Sequence, residues 1–305
     1  MSASSFNPPI VDLQNCSAED LVSTLERASC VLLKNHGVDD EVRTRVLRAS
    51  DAFFALPRAE KERVEWPGEG FWYGWQPVHE MSATADLMER YEVRLPAHAD
   101  KSDPQRWADA FLAWPQHPED LRPAYTQLYV ALHKLASDIM SRLAKGLGRN
   151  AESLDKWTDL QHSNLVFNHY APQPETVNGR FRAHPHTDIG AISLLWADQA
   201  PGGLEVESQG GWQPVQVPES LWVLQVGDLL HLWSDHQIPA NRHRVINPPS
   251  GRTDTTRRSI VFFHHPDPSV VVSAPSSSET ETLTAGEYML FRQAQDVAPG
   301  ALPPC

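Results

Sequence analysis

The sequence predicts an α+β fold, with a β-rich core from the second half of the chain buttressed by helices from the first. Two patterns carry that expectation. After Trp157, about eight short apolar runs follow within roughly a hundred residues: NLVFNHY, AISLLWA, LEVE, WQPVQV, LWVLQV, LLHLW, HRVIN and SIVFFHH. Gly, Pro and Asp separate them, as in a sandwich or barrel of short strands. Ahead of them, Leu121, Tyr125, Leu128, Leu132, Leu135, Ile139 and Leu143 recur at three- and four-residue steps. That spacing predicts one long amphipathic helix near 119–147, with Gly146 and Gly148 as its stop.

The first hundred residues alternate short strands with helices. PIVDL is a short apolar run, and Ser17 is placed to cap a helix carrying Leu21, Leu25 and Ala28. VLLKNHGV reads as a buried strand running into a glycine turn, with His36 in a polar structural role. The next helix puts Val42, Val46, Ala49 and Phe53 on one face and is stopped by Pro57. Trp66–Val78, WPGEGFWYGWQPV, is crowded with aromatic rings and broken by Gly and Pro, so a long loop is expected. Its Trp72 and Trp75 either wall a pocket or pack onto the core. Glu89 and Glu92 read as a solvated helical or turn face. SGRTDTT should bulge as a loop, PSSSETET should be exposed, LTAGEYMLFRQ should be helical, and the last residues should form a tail.

Composition narrows the function. Twenty-six Lys and Arg against 39 Asp and Glu give a net charge of −13, which argues against a nucleic-acid or anionic-membrane surface. The three cysteines, at 16, 30 and 305, form no framework and fit a reducing cytoplasm. The N-terminus lacks the charged and apolar regions of a signal peptide, and no apolar run approaches the roughly 20 residues that span a bilayer. A small-molecule substrate, and a monomer or weak homodimer, are the expectations. No phosphate loop, dinucleotide fingerprint, G-x-S-x-G or nucleophilic cysteine setting is present.

The chemistry concentrates in Phe181–Trp196, FRAHPHTDIGAISLLW. His186 and Asp188 alternate, so on a strand both side chains can reach one point. His184 shares that alternation and complicates the choice. His243, in NRHRVIN, supplies a third ligand of the right kind. Two imidazoles and one carboxylate suit a facial triad for Fe(II), with positions left open for oxygen and substrates. With 14 histidines in the chain, an H-x-D pair also arises by chance, so the rest of the constellation decides. Arg257 and Ser259 alternate further on, a guanidinium fork and a hydroxyl suited to a distal carboxylate. Asn168 and Tyr170 repeat the alternation upstream. Arg258 should face away from that pair, and Arg242 and Arg244 away from His243. His231, Trp233, Phe263 and His265, with Trp72, Trp75 and Trp196, are candidates for a largely aromatic substrate pocket.

The ordered set N-x-Y, H-x-D, GGLEV, W-x-P-V, GDLL-x-LW, HRV and R-x-S resembles the isopenicillin N synthase-like family of Fe(II)/2-oxoglutarate-dependent dioxygenases, as do LLKNHGV and FFALP near the N-terminus. The resemblance runs from about Pro9 to Arg292. It implies a double-stranded β-helix, or jelly roll, around Fe(II) held by His186, Asp188 and His243. It further implies 2-oxoglutarate against Arg257, Ser259, Asn168 and Tyr170, O2 as oxidant, and ascorbate as a candidate reductant. The expected reaction hydroxylates, desaturates or cyclises a small metabolite and releases succinate and CO2. The chain 1–305 would then be a single catalytic unit: an α/β region over 1–100, a helical buttress over 101–155, the iron-bearing core over 156–275, and a C-terminal helix and tail over 276–305. Because R-x-S also occurs in family members that do not use 2-oxoglutarate, an Fe(II) oxidase of the same fold is one alternative. A non-catalytic jelly-roll binder is another, and the intact triad speaks against it.

Overall fold

The computed structural model describes residues 7–67, 73–78, 86–94, 114–149, 163–173, 179–208, 210–272 and 283–297, the side chains of 293–297 excepted. Trp72, the PSSSETET segment and the C-terminal tail lie outside these residues.

The N-terminal part forms as its pattern dictates. Strand β1 (Ile10–Asp12) leads into α1 (Ala18–Ala28), whose Ser17 side chain accepts a hydrogen bond from the Asp20 N–H. β2 (Cys30–Lys34) follows, and Gly37 at φ 75° makes the predicted turn. His36 is structural, as expected. Its Nδ1 accepts from the Val38 N–H, which leaves its Nε2–H to donate to the Ser220 carbonyl. α2 (Asp40–Phe54) buries Val42, Val46, Ala49 and Phe53, and Pro57 opens the short α3 (Arg58–Lys61). The long helix is α4 (Leu121–Gly146), with Gly148 at φ 65° just beyond it.

The remaining strands are β3 (Gly74–Gln76), β4 (Glu89–Arg94), β5 (Asn164–Tyr170), β6 (Ala183–His186), β7 (Ile192–Ala197), β8 (Gly203–Ser208), β9 (Gly211–Pro214), β10 (Trp222–Val226), β11 (His243–Ile246) and β12 (Arg257–His264). They form an eight-stranded sheet, β1-β2-β10-β7-β12-β5-β4-β3, and a four-stranded sheet, β6-β11-β8-β9. The large sheet is buried on both faces. Its outer face takes the helices: on α4, Tyr129 meets Phe262 edge-on at 5.2 Å and Tyr125 meets Tyr91 edge-on at 5.6 Å. Its inner face, through Leu32, Leu195, Val223 and Val261, packs against Leu204 and Val206 of the small sheet. The result is a sheet-rich core with helices on one side.

Three local expectations are corrected. LLHLW is not a strand: Asp228–Trp233 is a helical turn, α5, that opens at Gly227. Leu229, Leu230 and Trp233 share helical spacing and are all buried, which a strand could not arrange on one face. Part of the aromatic loop is ordered as β3, because Gly74–Gln76 pairs with β4. Glu89 and Glu92 do not sit on a solvated face but on β4, whose period-two alternation hides among charges. Glu89 faces the helices. Its carboxylate accepts from Lys61 Nζ at 2.7 Å, Trp75 Nε1 at 2.9 Å and His169 Nδ1 at 3.1 Å. A final helix, α6 (Ala285–Val297), bears out the helical reading of LTAGEYMLFRQ.

Burial raises the Glu89 carboxyl, but the hydrogen bonds from His169, Lys61 and Trp75 outweigh it and hold the group below its ordinary value. Glu89→Gln should destabilise the fold by about 3 kcal/mol, because Lys61 would be left as a buried cation without its counter-charge. Since the folded-state value is depressed, this stabilisation is full above the ordinary carboxylate range and is lost as pH falls through the depressed value. Urea titrations of both proteins at neutral and at acid pH check the magnitude and the sign.

Candidate active site

Cross-strand register builds the site. β11 pairs with β6 so that His243 lies directly opposite His186, and their ring centroids are 4.3 Å apart. Asp188 lies past the end of β6 rather than on it, so the strand alternation that suggested its placement is not what positions it. The turn back into β7 does. The Asp228 N–H donates to the Asp188 carbonyl at 2.9 Å, and Gly227 abuts Gly190 so closely that a Cβ there would sit 2.2 Å from the Gly190 oxygen. Asp188 Oδ1 is thereby held 3.7 Å from Nε2 of both histidines. One ligand atom from each residue lies within 4.8 Å of the others.

The donor set fits a divalent metal in detail. His186 Nδ1 faces the His184 carbonyl at 2.6 Å, and His243 Nδ1 faces the Asn241 carbonyl at 3.1 Å. Both rings therefore carry the proton on Nδ1 and turn the Nε2 lone pair toward Asp188. Burial and His186 pull His243 down to about 4, against the opposing pull of Asp188 and the Asn241 carbonyl, so its imidazole is neutral at physiological pH. Asp188 and His243 are buried while the His186 side chain is 40% exposed, which leaves one open approach. His184 turns elsewhere. Its backbone N–H and its Nδ1–H both donate to Asp86 Oδ1, at 2.8 and 2.9 Å.

The second constellation lies on the inner face of the large sheet. β12 pairs with β5 in a register that sets Arg257 opposite Tyr170 and Ser259 opposite Asn168. Arg257 lies over the Tyr170 ring at 4.9 Å and is 2% exposed, and Asn168 Nδ2 donates to Ser259 Oγ at 3.2 Å. Two buried atoms here have no hydrogen-bond partner among the described residues: Arg257 Nη1, a donor, and Asn168 Oδ1, an acceptor. A buried cationic donor without a protein acceptor fits an anionic ligand. Arg258 points outward, as expected, to Asp51 and Asp198, and Arg242 and Arg244 pair with Glu207 and Glu205.

The pocket candidates divide. Phe263 and His265 continue the inner row of Arg257 and Ser259 toward the triad, and a Cβ on Gly190 would touch the His265 ring. Trp75 and Trp196 do not join them, because they face the helices. Trp75 donates to Glu89 at 2.9 Å, and Trp196 donates to the Glu219 carbonyl at 2.9 Å beneath Arg43. Trp233 belongs to the helix-side core, with Arg149 over its ring. His231 Nδ1–H donates to the Ile238 carbonyl at 2.8 Å, and its Nε2 meets His236. The expected aromatic wall thus loses four of its members to the outer face and to α5.

Polar groups occupy the inner face beside Phe263. Glu92, 1% exposed, accepts from Asn164 Nδ2 at 2.8 Å and pairs with Arg94 at 3.4 Å; His265 Nε2–H donates to Asn164 Oδ1 at 2.9 Å. The alternation of ERYEVR was the signal for Glu92 and Arg94. Arg182 and the Asp228–Arg292 contact carried no pattern of their own. A cavity of about 270 Å³ opens beside Arg257, lined by Ala197, Pro201, Leu204, Val215 and Val217 among others. No triad residue borders it, so it is not where metal chemistry takes place.

Comparison with known proteins agrees with this geometry. Residues 161–266 match the model of the 2OG-Fe(II) oxygenase superfamily, and residues 8–117 match that of the non-haem dioxygenase in morphine synthesis N-terminal region. Validamycin A dioxygenase of Streptomyces hygroscopicus subsp. limoneus is 29% identical over 94% of this chain and 86% of its own length. The 2-oxoglutarate-dependent dioxygenase frbA of Dothideomycetidae sp. (strain 11243) is 30% identical over 84% of this chain and 82% of its own. Among solved structures, a full-length Neurospora crassa protein in complex with alpha-KG and 5-formyluracil superposes with a TM-score of 0.77 at 26% identity, covering 94% of this chain and 96% of that one. The rice dioxygenase for auxin oxidation gives 0.75 at 25% identity, covering 95% and 96%. With a His-Asp-His group able to hold iron, the chain belongs to the 2-oxoglutarate–Fe(II) oxygenase superfamily and is a 2-oxoglutarate-dependent dioxygenase.

Proposed function

We propose that the enzyme oxidises a small metabolite in a jelly-roll barrel, with Fe(II) on His186, Asp188 and His243 and the distal carboxylate of 2-oxoglutarate on Arg257. The observation that carries the second assignment is the buried, unpartnered Arg257 Nη1 in the same inner row as Ser259. Ser259 and Tyr170 are placed to add hydroxyl contacts to that carboxylate, and Asn168 turns its free Oδ1 into the same space. With metal and oxo acid bound, the site couples oxidative decarboxylation to succinate and CO2 with a two-electron oxidation of substrate by O2. The chain's own residues do the positioning: two Nδ1–H···O=C hydrogen bonds fix the imidazoles, and the Asp228 N–H fixes the carboxylate turn. The approach over His186 admits substrate, with Phe263 and His265 as its nearer walls. We read the whole chain as one catalytic unit acting in the cytoplasm, a compartment that suits the free Cys16 and Cys30.

The substrate reading is a small, partly polar metabolite. The inner wall of Glu92, Arg94, Asn164 and His265 supports hydrogen-bonding functionality beside an apolar contact on Phe263. Relatives named validamycin A dioxygenase and leucoanthocyanidin dioxygenase support the reading of a small-molecule substrate. Incubating the Fe(II) protein with 2-oxoglutarate and a metabolite panel, with succinate release and product mass as readouts, identifies both substrate and outcome. A gain of one oxygen marks hydroxylation; a loss of two hydrogens marks desaturation or ring closure. Turnover that proceeds unchanged without 2-oxoglutarate would contradict the cosubstrate assignment.

His186→Ala and Asp188→Ala should each abolish anaerobic Fe(II) binding at ordinary iron concentrations, while His184→Ala spares it because that ring serves Asp86. Equilibrium dialysis with iron analysis distinguishes the two sets. Arg257→Ala should raise the 2-oxoglutarate requirement steeply, by about 2–5 kcal/mol of lost binding, since a desolvated carboxylate would lose its charged partner. Arg258→Ala, on the opposite face, should change it little; equal effects in a succinate-release titration would mean that the face assignment is wrong.

A further inference from the structure

Arg182 is one of the most deeply buried charges among the described residues, at 0% exposure, and it takes no part in the chemistry described above. Its Nη1 donates to the Pro201 carbonyl at 2.6 Å and its Nη2 to the Thr255 carbonyl at 3.3 Å. Its Nε is buried with no hydrogen-bond partner among the described residues, in the same condition as Nη1 of Arg257. Both guanidinium groups lie over one ring, that of Tyr170, Arg182 at 5.6 Å and Arg257 at 4.9 Å. No carboxylate makes an ion pair with either among the described residues, and the nearby Asp198 is engaged by Arg258. Burial, and then the neighbouring charge of Arg257, pull Arg182 down to about 10, so it remains a cation at physiological pH.

Two buried cations lie over one tyrosine, and among the described residues no carboxylate is in ion-pair contact with either, so their desolvation is offset only by hydrogen bonds and by the more distant Asp198. Arg182 cannot withdraw, since two backbone carbonyls hold its terminal nitrogens. Its charge therefore adds a positive field to the space that Arg257 faces. We infer that Arg182 is a positioning residue for the cosubstrate: with Arg257 it makes a two-cation receptor that selects 2-oxo acids bearing a second, distal carboxylate over those with an apolar tail. This rests on the reading that Arg257 receives the distal carboxylate of 2-oxoglutarate. It adds that the receptor's charge is shared with a residue that does not touch the ligand. A purely structural Arg182, tying the Pro201 and Thr255 loops together, would not discriminate between the two classes of acid.

The test is anaerobic calorimetry of the Fe(II)-loaded protein with 2-oxoglutarate and with 2-oxopentanoate, which has the same head and chain length but no distal carboxylate. Arg182→Gln keeps a donor for the Pro201 carbonyl and loses the charge; Arg182→Lys keeps both a donor and the charge. The glutamine variant should bind 2-oxoglutarate about tenfold more weakly, with 2-oxopentanoate changed by less than about twofold. The lysine variant, with comparable loss of hydrogen bonds, should stay within about threefold of the wild type for both acids. Equal weakening of both acids in the glutamine variant, equal weakening of 2-oxoglutarate in the two variants, or no change in either, would overturn the inference. Failure of the wild-type protein to prefer 2-oxoglutarate over 2-oxopentanoate would instead overturn the Arg257 reading on which it rests.

Discussion

The pairing of His243 with His186 across β11 and β6 decides where everything else must go. It brings two imidazoles within ring-contact distance, and without a cation between them two polar rings facing one carboxylate gain little. The third ligand is held by backbone rather than by a strand. Gly227 and Gly190 touch main chain to main chain, and the Asp228 N–H closes the turn on the Asp188 carbonyl. Asp228 then directs its carboxylate outward, to the Tyr288 hydroxyl at 2.9 Å and to Arg292 of the C-terminal helix. The last helix is in this way tied to the turn that presents the metal ligand, and Arg292 also reaches Thr187 between the two ligand positions.

Charge is sorted inside a chain that is acidic overall. The net charge is −13, yet the inner row of the large sheet carries Arg257, and Arg182 lies over the same Tyr170 ring. At the other end of that row Glu92 and Arg94 neutralise one another beside Asn164. Burial raises the Glu92 carboxyl despite these partners, so this end holds a pair close to electrical balance. The unbalanced buried positive charge of the inner face thus lies at the Arg257 end. A global charge count conceals this division, because desolvated charges outweigh a diffuse and screened surface field at short range.

Much of this was legible in the sequence, for definite reasons. His186 on its strand, Arg257 with Ser259, and the outward direction of Arg258 follow from period-two alternation, which strands enforce. The long helix and the Ser17 cap follow from helical spacing and capping chemistry. Alternation failed where the chain leaves the strand. Asp188 reaches the metal by a turn that two glycines make possible, and LLHLW coils because Leu229, Leu230 and Trp233 must share one buried side. It also failed to say which face is which: Trp75 and Trp196 looked like pocket rings until the register put them on the helix side. Arg182 had no signature, since its partners are backbone carbonyls far along the chain.

Three preset ligands and a charged inner row are expected to hold one metal and one oxo acid together. Anaerobic titration with Fe(II), followed by 2-oxoglutarate and read by visible absorption, tests this most directly. One equivalent of iron should bind colourlessly, and a metal-to-ligand charge-transfer band should develop only when the oxo acid is added; His243→Ala should show neither. No band in the wild-type protein, or the same band in His243→Ala, would contradict it.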